Sequence, residues 1–194
     1  DDNLFREEKN YPFFLDKYHQ HIDPIAETIA WCLMPNHFHL LVKIRSEKEI
    51  VDNFSSSRTS TFLKFRTLEK LAEAEEEKLK FLSKQFSNFF SSYTQAFNKV
   101  YNRRGSLFIK NFKRKEITKY AYLRNLILYI HLNPIKHGFA KDIQDWQHTS
   151  FDTFPATYAS LLQTIFDNHN NYLLLHQGKQ LLFHEYDLLE NELT

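Results

Sequence analysis

The sequence predicts an α+β fold, because two short apolar runs with the character of strands lie among longer segments with helical spacing. Residues 25–33 and 38–44 read as the two strands of a hairpin, and Met34-Pro35-Asn36 between them is typical of a turn. Residues 7–22 precede the hairpin with the spacing of an amphipathic helix. The candidate core positions of that helix are Phe13, Phe14, Tyr18 and Ile22.

The rest of the chain is expected to be mostly helical. Residues 46–101 have helical character, and their charged middle, which shows little core pattern, predicts an exposed insertion. Residues 106–112 have the composition of a strand. A helix is expected over residues 118–133, because Thr118 can cap its start and Pro134 should force its end. Residues beyond Trp146 are expected to form peripheral helices.

The composition limits the class of protein. With 194 residues, 42% of them hydrophobic, the chain can form one well-packed domain with an appendage and a single active site. Its three glycines leave no room for a glycine-rich phosphate-binding loop, which excludes many nucleotide-dependent enzymes. The single cysteine, Cys32, excludes an internal disulfide and a multi-cysteine zinc site. Because no signal-peptide pattern or membrane-length apolar run is seen, we expect a cytoplasmic protein with no membrane partner.

The charges are segregated along the chain although the formal net charge is only +1. Residues 96–124 contain nine basic residues and one acidic residue, whereas residues 142–194 contain eight acidic residues and one lysine. Aromatic side chains interleave with the basic ones, a pattern that suits single-stranded nucleic acid, since cations neutralise phosphates and rings stack on bases. A solvated basic face balanced by an acidic tail is the alternative. The candidate phosphate contacts are Arg103, Arg104, Lys110, Lys113 and Arg114.

His37 and His39 flank a single residue in the second predicted strand. Because side chains alternate between the two faces of a strand, both imidazoles should lie on one face with Phe38 on the other. Neutral imidazoles bind divalent metals and carry protons near neutral pH. A metal or proton-transfer site is therefore one interpretation, and a pair of histidines on a partly exposed strand face is the other.

Tyr129 and Asn133 lie four residues apart on the predicted helix, so they project from the same face. If His37, His39 and the Asn133 amide oxygen gather around one divalent ion, the Tyr129 phenol would meet a phosphate bound to that ion. Mg²⁺ or Mn²⁺ would suit such ligands. On spacing alone, packing of Tyr129 in the core is the favoured interpretation.

Other polar residues near this helix are weaker candidates. Tyr120 and Tyr122 lack an asparagine one turn later. His131 should face away from Tyr129, and we expect it to contact solvent or phosphate rather than a metal. The same expectation holds for His137 beyond the helix end.

Four sequence blocks together resemble those of the single-tyrosine HUH transposases, and within that class the REP-associated tyrosine transposases. The resemblance extends over residues 4–151, and the blocks follow the order found in the family. They are Met34-Pro35-Asn36-His37-Phe38-His39-Leu40-Leu41-Val42, residues 93–97 followed by Asn98, Arg104-Gly105-Ser106-Leu107-Phe108, and Tyr129-Ile130-His131-Leu132-Asn133-Pro134.

This resemblance implies a ferredoxin-like antiparallel sheet with packed helices and a chemistry of DNA cleavage and rejoining. His37 and His39 match the metal ligands, Tyr129 matches the nucleophile, and Asn133 matches the residue that completes the metal site. The implied reaction is Mg²⁺- or Mn²⁺-dependent attack on single-stranded or hairpin DNA, which leaves a 5′-phosphotyrosine link and a free 3′-hydroxyl. The covalent link conserves the phosphodiester energy, so no ATP is required.

The resemblance also suggests a division of the chain. Residues 1–150 would form the transposase domain, with residues 58–82 as a helical insertion and residues 151–194 as a helical C-terminal extension. The first strand expected of the family is not recognised before residue 4. Relatives include monomers and dimers, so a homodimer is one expected assembly.

Two other functions remain as alternatives. One is a relative that binds nucleic acid without cutting it. The other is a metal-dependent phosphoesterase that uses water as its nucleophile and does not need Tyr129.

Overall fold

The computed structural model describes residues 3–56, 75–109, 114–118 and 120–178. Two strands and several helices confirm the α+β class. The strands are β1 (Ala26–Met34) and β2 (His37–Ile44). The helices are α1 (Asn10–Ile22), α2 (Glu47–Ser56), α3 (Glu75–Val100), α4 (Tyr120–Lys136), α5 (Phe154–Thr157), α6 (Ala159–Phe166) and α7 (His169–Gln177), with a 3₁₀ turn at Ile143–Asp145.

The predicted hairpin is confirmed, with β1 and β2 joined through Pro35 and Asn36. The other edge of β1 is partly covered by a later segment. There the Leu33 N–H donates to the His148 carbonyl at 2.8 Å, and the Ser150 N–H donates to the Trp31 carbonyl at 2.9 Å. Among the described residues the sheet has two strands, and the ferredoxin-like arrangement stays a prediction.

The chain divides into two compact units. The first, which we call the hairpin unit, contains Asp1–Arg6, Ile29–Leu41 and Lys110–Thr194. Its core is built where the apolar side of β1 meets α4 and the later helices. The core residues that β1 supplies are Ala30, Cys32 and Met34, and those that α4 supplies include Ile127, Leu128, Ile130 and Leu132.

The second, which we call the helical unit, contains Glu7–Thr28 and Val42–Ile109. Its core is aromatic: the Phe14 ring on α1 lies 4.9 Å from Phe89 and 5.2 Å from Tyr93 on α3, both nearly edge-on. Each such ring contributes about 2–3 kcal/mol when fully buried. The predicted burial of Phe14, Tyr18 and Ile22 is confirmed, whereas Phe13 is only half-buried.

The predicted end of α4 before Pro134 is wrong, because the helix continues to Lys136. A proline lacks an N–H, so it deprives only the Ile130 carbonyl of its helical partner. Beyond the proline the helical pattern continues: the His137 N–H donates to the carbonyl of Asn133, which is fully buried, at 3.0 Å.

Two further expectations fall partly outside the described residues. A strand is expected over residues 106–112. Residues 106–109 do not form a strand, and residues 110–112 lie outside the described part of the chain. Gly105, directly before these residues, has φ +89, a turn conformation that lies outside the strand region. Of the expected insertion over 58–82, residues 58–74 lie outside the described part, and residues 75–82 form the start of α3.

Candidate active site

The two histidines of β2 lie side by side in the hairpin unit. The ring centroids of His37 and His39 are 5.3 Å apart and nearly perpendicular, as expected for residues spaced by two along a strand. Both side chains are half-buried.

The hairpin turn orients the first of these rings. Nδ1 of His37 donates a hydrogen bond to Oδ1 of Asn36 at 2.7 Å. Because a neutral imidazole carries one proton, this bond leaves the Nε2 atom of His37 as an acceptor with a lone pair. Metal-binding histidines in proteins are usually held in this way by a hydrogen bond through their other nitrogen.

Helix α4 brings Tyr129 to the second histidine. The ring centroids of His39 and Tyr129 are 5.1 Å apart, and the Nζ atom of Lys136 lies 5.5 Å from the Tyr129 ring centroid. Tyr129 is only 1% exposed. The phenol therefore lies beside the histidine pair but is covered in this conformation.

Asn133 is fully buried one helical turn beyond Tyr129. Its Nδ2 donates to the Tyr129 carbonyl at 3.1 Å, which fixes the orientation of the amide, since that carbonyl can only accept. Its Oδ1 is buried and has no hydrogen-bond partner among the described residues. An amide oxygen in that state is suited to a hard divalent cation.

The donor types of His37, His39 and Asn133, two imidazole nitrogens and one amide oxygen, suit such an ion. Within the described ranges, no three His, Cys, Asp or Glu side chains form a group that could hold a metal ion. A metal bound by the two histidines would take its other ligands from groups of other kinds, and the Asn133 amide oxygen is one such group.

For His137 the sequence predicts contact with solvent or phosphate, and the structure also brings it beside the histidine pair. It follows α4 and is exposed, but its ring centroid lies 5.0 Å from that of His37. The signal was present in the sequence: His137 is four residues beyond Asn133 and eight beyond Tyr129, so all three follow one helical stripe. His39 faces the start of this stripe and His37 faces its end.

The expected exposure of His131 is wrong. His131 is fully buried, with Nε2 2.9 Å from Ser150 Oγ and Nδ1 3.1 Å from His176 Nε2. Burial lowers the pKa of His131 well below its usual value, and the neighbouring His176 lowers it further. Burial likewise lowers the pKa of His176 to about 4. These histidines form a neutral pair in the core of the hairpin unit.

The predicted phosphate-contact residues have different surroundings. Arg103 and Arg104 belong to the helical unit, where Nη2 of Arg103 donates to the Ser106 carbonyl at 2.9 Å while Arg104 is exposed. Arg114 belongs to the hairpin unit and is exposed. Lys110 and Lys113 lie outside the described residues. A role for these five in DNA binding stays a prediction.

The chain is similar to a curated protein of Haemophilus influenzae named "Putative REP-associated tyrosine transposase". The two sequences are 27% identical over 127 residues, which is 64% of this chain. The match confirms the family resemblance. The chain covers 58% of the length of that relative. No family model and no solved structure matches the chain.

The relative's name is consistent with what the site can do chemically. A phenol, two imidazoles, a buried amide oxygen and an ammonium group lie together in one unit, which is a set suited to holding a phosphate beside a nucleophile. In the part of the chain that the structure describes, no helix combines the length and apolar character needed to cross a membrane.

Proposed function

We propose that this protein is a metal-dependent single-stranded DNA endonuclease and strand transferase that forms a 5′-phosphotyrosine intermediate through Tyr129. The observation that carries the proposal is the 5.1 Å contact between the Tyr129 and His39 rings, beside the His37–His39 pair. The similarity to a protein named as a tyrosine transposase supports the same reaction class.

Three residues would hold the divalent ion, Mg²⁺ or Mn²⁺. They are His37 through Nε2, His39, and Asn133 through its buried Oδ1. When bound, such an ion polarises the scissile phosphate and orients it for in-line attack.

The residues of the chain supply the rest of the reaction. The phenolic oxygen of Tyr129 attacks phosphorus and forms a P–O bond, while the bond from phosphorus to the 3′-oxygen breaks. The phenol loses its proton, and the 3′-oxygen gains one to become a free hydroxyl. Lys136, whose Nζ lies 5.5 Å from the Tyr129 ring centroid, supplies a positive charge near the phosphate. Rejoining is the reverse of these steps.

The burial of Tyr129 gives weight to a second candidate, a relative that binds single-stranded DNA but does not cut it. A side chain that is 1% exposed cannot reach a phosphodiester without a local movement. If that movement does not occur, the unit can still bind DNA, but no covalent link can form.

Trapping of the covalent link tests the proposal. The protein is incubated with labelled single-stranded DNA hairpins and Mn²⁺ or Mg²⁺, and a protein–DNA band is sought on a denaturing gel. We expect a band that requires the metal and disappears in Tyr129→Phe. The matched control is Tyr120→Phe, which removes a hydroxyl from a 72% exposed tyrosine on the same helix and should leave the band intact.

Other outcomes identify the alternatives. DNA binding with no band in the native protein would support the non-cutting relative. Metal-dependent cleavage that persists in Tyr129→Phe would overturn the tyrosine mechanism and point to a phosphoesterase that uses water.

A further inference from the structure

A row of aromatic rings continues outward from the candidate active site in the hairpin unit. Beyond His37 the row passes to His137 at 5.0 Å between ring centroids, then to Phe139 at 6.4 Å. From Phe139 it continues to Trp146 at 5.9 Å. We call His137, Phe139 and Trp146 the aromatic ledge.

The ledge reaches the protein surface. His137 is exposed, Phe139 is 39% exposed and Trp146 is half-buried. Phe139 and Trp146 are tilted by 34° from one another, so the two rings do not cover each other's faces completely. Adjoining rings at a surface offer faces on which unstacked bases can pack.

The backbone holds the ledge in place. Gly138 adopts φ +73 at the end of α4, where its N–H donates to the Ile135 carbonyl at 3.1 Å and the Phe139 N–H donates to the Pro134 carbonyl at 2.8 Å. This pair of bonds is a Schellman motif, which fixes the direction in which the chain leaves the helix. The Trp146 indole N–H donates to the Leu33 carbonyl at 3.0 Å, which ties the far end of the ledge to β1.

The charges along this segment balance, so its rings rather than its net charge would hold a partner. Lys136 and Lys141 lie on either side of residues 137–140 in the sequence, and Lys141 is exposed. Asp142 and Asp145 offset these lysines. Asp142 Oδ1 accepts from Gln144 N and Asp145 Oδ2 accepts from Asp142 N, and both carboxylates keep their negative charge. Both bonds lie within the 3₁₀ turn.

We propose that the aromatic ledge is a base-stacking subsite for unpaired nucleotides that flank the scissile phosphate of single-stranded DNA. The inference rests on the proposed function, because the ledge is continuous with the His37–His39 pair. A strand whose phosphate lies at that pair would pass over rings that offer faces to its unstacked bases. Base–aromatic stacking accepts every base, so this subsite contributes affinity and register rather than sequence choice.

Equilibrium binding to labelled oligothymidylate tests the proposal. It is measured without divalent metal and in a Tyr129→Phe background, so that only non-covalent binding is observed. We expect Phe139→Ala to weaken binding about tenfold, the size of one lost base stack. Phe139→Tyr keeps a ring and should bind as the parent does. Leu174→Ala, which truncates a 62% exposed side chain in the same unit, is the matched control and should have no effect.

An abasic strand of equal length separates stacking from phosphate contact. Because it keeps the phosphates and lacks the bases, Phe139→Ala should not weaken its binding further. Trp146 provides a second readout: the chain has two tryptophans, so in a Trp31→Phe variant the remaining fluorescence comes from Trp146. We expect oligothymidylate to quench this fluorescence and the abasic strand to leave it nearly unchanged.

The ledge proposal and the proposed function can fail separately. Unchanged affinity in Phe139→Ala, or equal quenching by the abasic strand, would overturn the ledge even if the Tyr129 adduct forms. Base-dependent binding that requires Phe139, with no adduct in the native protein, would support the ledge and reject the nuclease.

Discussion

At the scale of single residues, the hairpin turn and the first strand histidine act together. Asn36 is exposed, and its Oδ1 accepts a hydrogen bond from Nδ1 of His37 at 2.7 Å. This bond selects the tautomer in which Nε2 can bind a metal, and it limits rotation of the ring. The role of Asn36 is therefore to position His37.

We expect Asn36→Ala to weaken Mn²⁺ binding by roughly tenfold or more, as is typical when the hydrogen-bond partner of a ligating histidine is removed. Isothermal titration of Mn²⁺ measures the effect. Asn36→Asp keeps an acceptor at the same position and should restore most of the affinity. Equal Mn²⁺ affinity in Asn36→Ala and the native protein would show that the turn does not orient the ligand.

At the scale of elements, a chain of hydrogen bonds through two buried histidines links α4 to α7 and to the segment beside β1. His176 Nδ1 must donate to the Tyr172 carbonyl at 2.7 Å, since a carbonyl only accepts. The Nε2 atom of neutral His176 then accepts a hydrogen bond from Nδ1 of His131. This leaves Nε2 of His131 to accept a hydrogen bond from the Ser150 hydroxyl. Every ring nitrogen is used while both histidines are neutral, so an added proton would break a bond.

The pH dependence of stability follows from this arrangement. The pKa of both histidines is lowered on folding, so the unfolded chain binds more protons below about pH 6.5. The stabilisation is fully present above that pH, and it is lost as the pH falls toward the folded-state pKa of His176, about 4. We expect the free energy of unfolding to fall by roughly 1 kcal/mol per pH unit for each histidine over that window.

Denaturant unfolding between pH 7 and about pH 4 measures this slope. His176→Gln should make it shallower. His169→Gln replaces an exposed histidine on the same helix and should leave it unchanged. If the slope of His176→Gln equals that of the native protein, the buried pair does not control acid stability.

The end of α4 depends on one glycine. A Cβ added to Gly138 would meet no atom within 4 Å, so the cost of a side chain there comes from the positive φ alone. We expect Gly138→Ala to lower the free energy of unfolding by about 1 kcal/mol, and Gly138→Asn to lower it less, because asparagine tolerates this conformation better. Thermal or denaturant unfolding distinguishes the two. Equal stability in Gly138→Ala would contradict the assigned cap.

The same elements show what the sequence could and could not predict. The hairpin and the pairing of His37 with His39 follow from alternation along a strand, which is a local property. The length of α4 does not, since Pro134 normally ends a helix, whereas here the buried Asn133 still accepts from the His137 N–H beyond it. The burial of His131 could not be predicted for a related reason: its partners Ser150 and His176 are 19 and 45 residues away in sequence.

At the scale of the whole molecule, the charge is divided along the sequence although it nearly cancels overall. Exposed cations of the basic stretch, such as Arg104 and Arg114, occur in both units. Binding of a single strand should therefore weaken steeply with salt despite the net charge of +1, because the counterions released depend on local contacts.

We expect Arg104→Gln to reduce the slope of log affinity against log salt by about 0.7, the value for one lost phosphate contact on a single strand. Fluorescence anisotropy over a salt series measures the slope. Lys84→Gln removes an exposed cation of α3 that precedes the basic stretch and is the control. A slope that is equal in Arg104→Gln and Lys84→Gln would remove Arg104 from the DNA contacts.

If Tyr129 is the nucleophile as proposed, its burial would affect which part of the substrate controls the rate of cleavage. Uncovering a side chain that is 1% exposed costs free energy, and that energy must come from contacts made elsewhere along the strand. Nucleotides far from the cleaved bond would then accelerate the chemical step itself. A shortened substrate should therefore be cut slowly even at saturating concentration, and the hydroxyl would stay shielded until the correct strand is fully engaged.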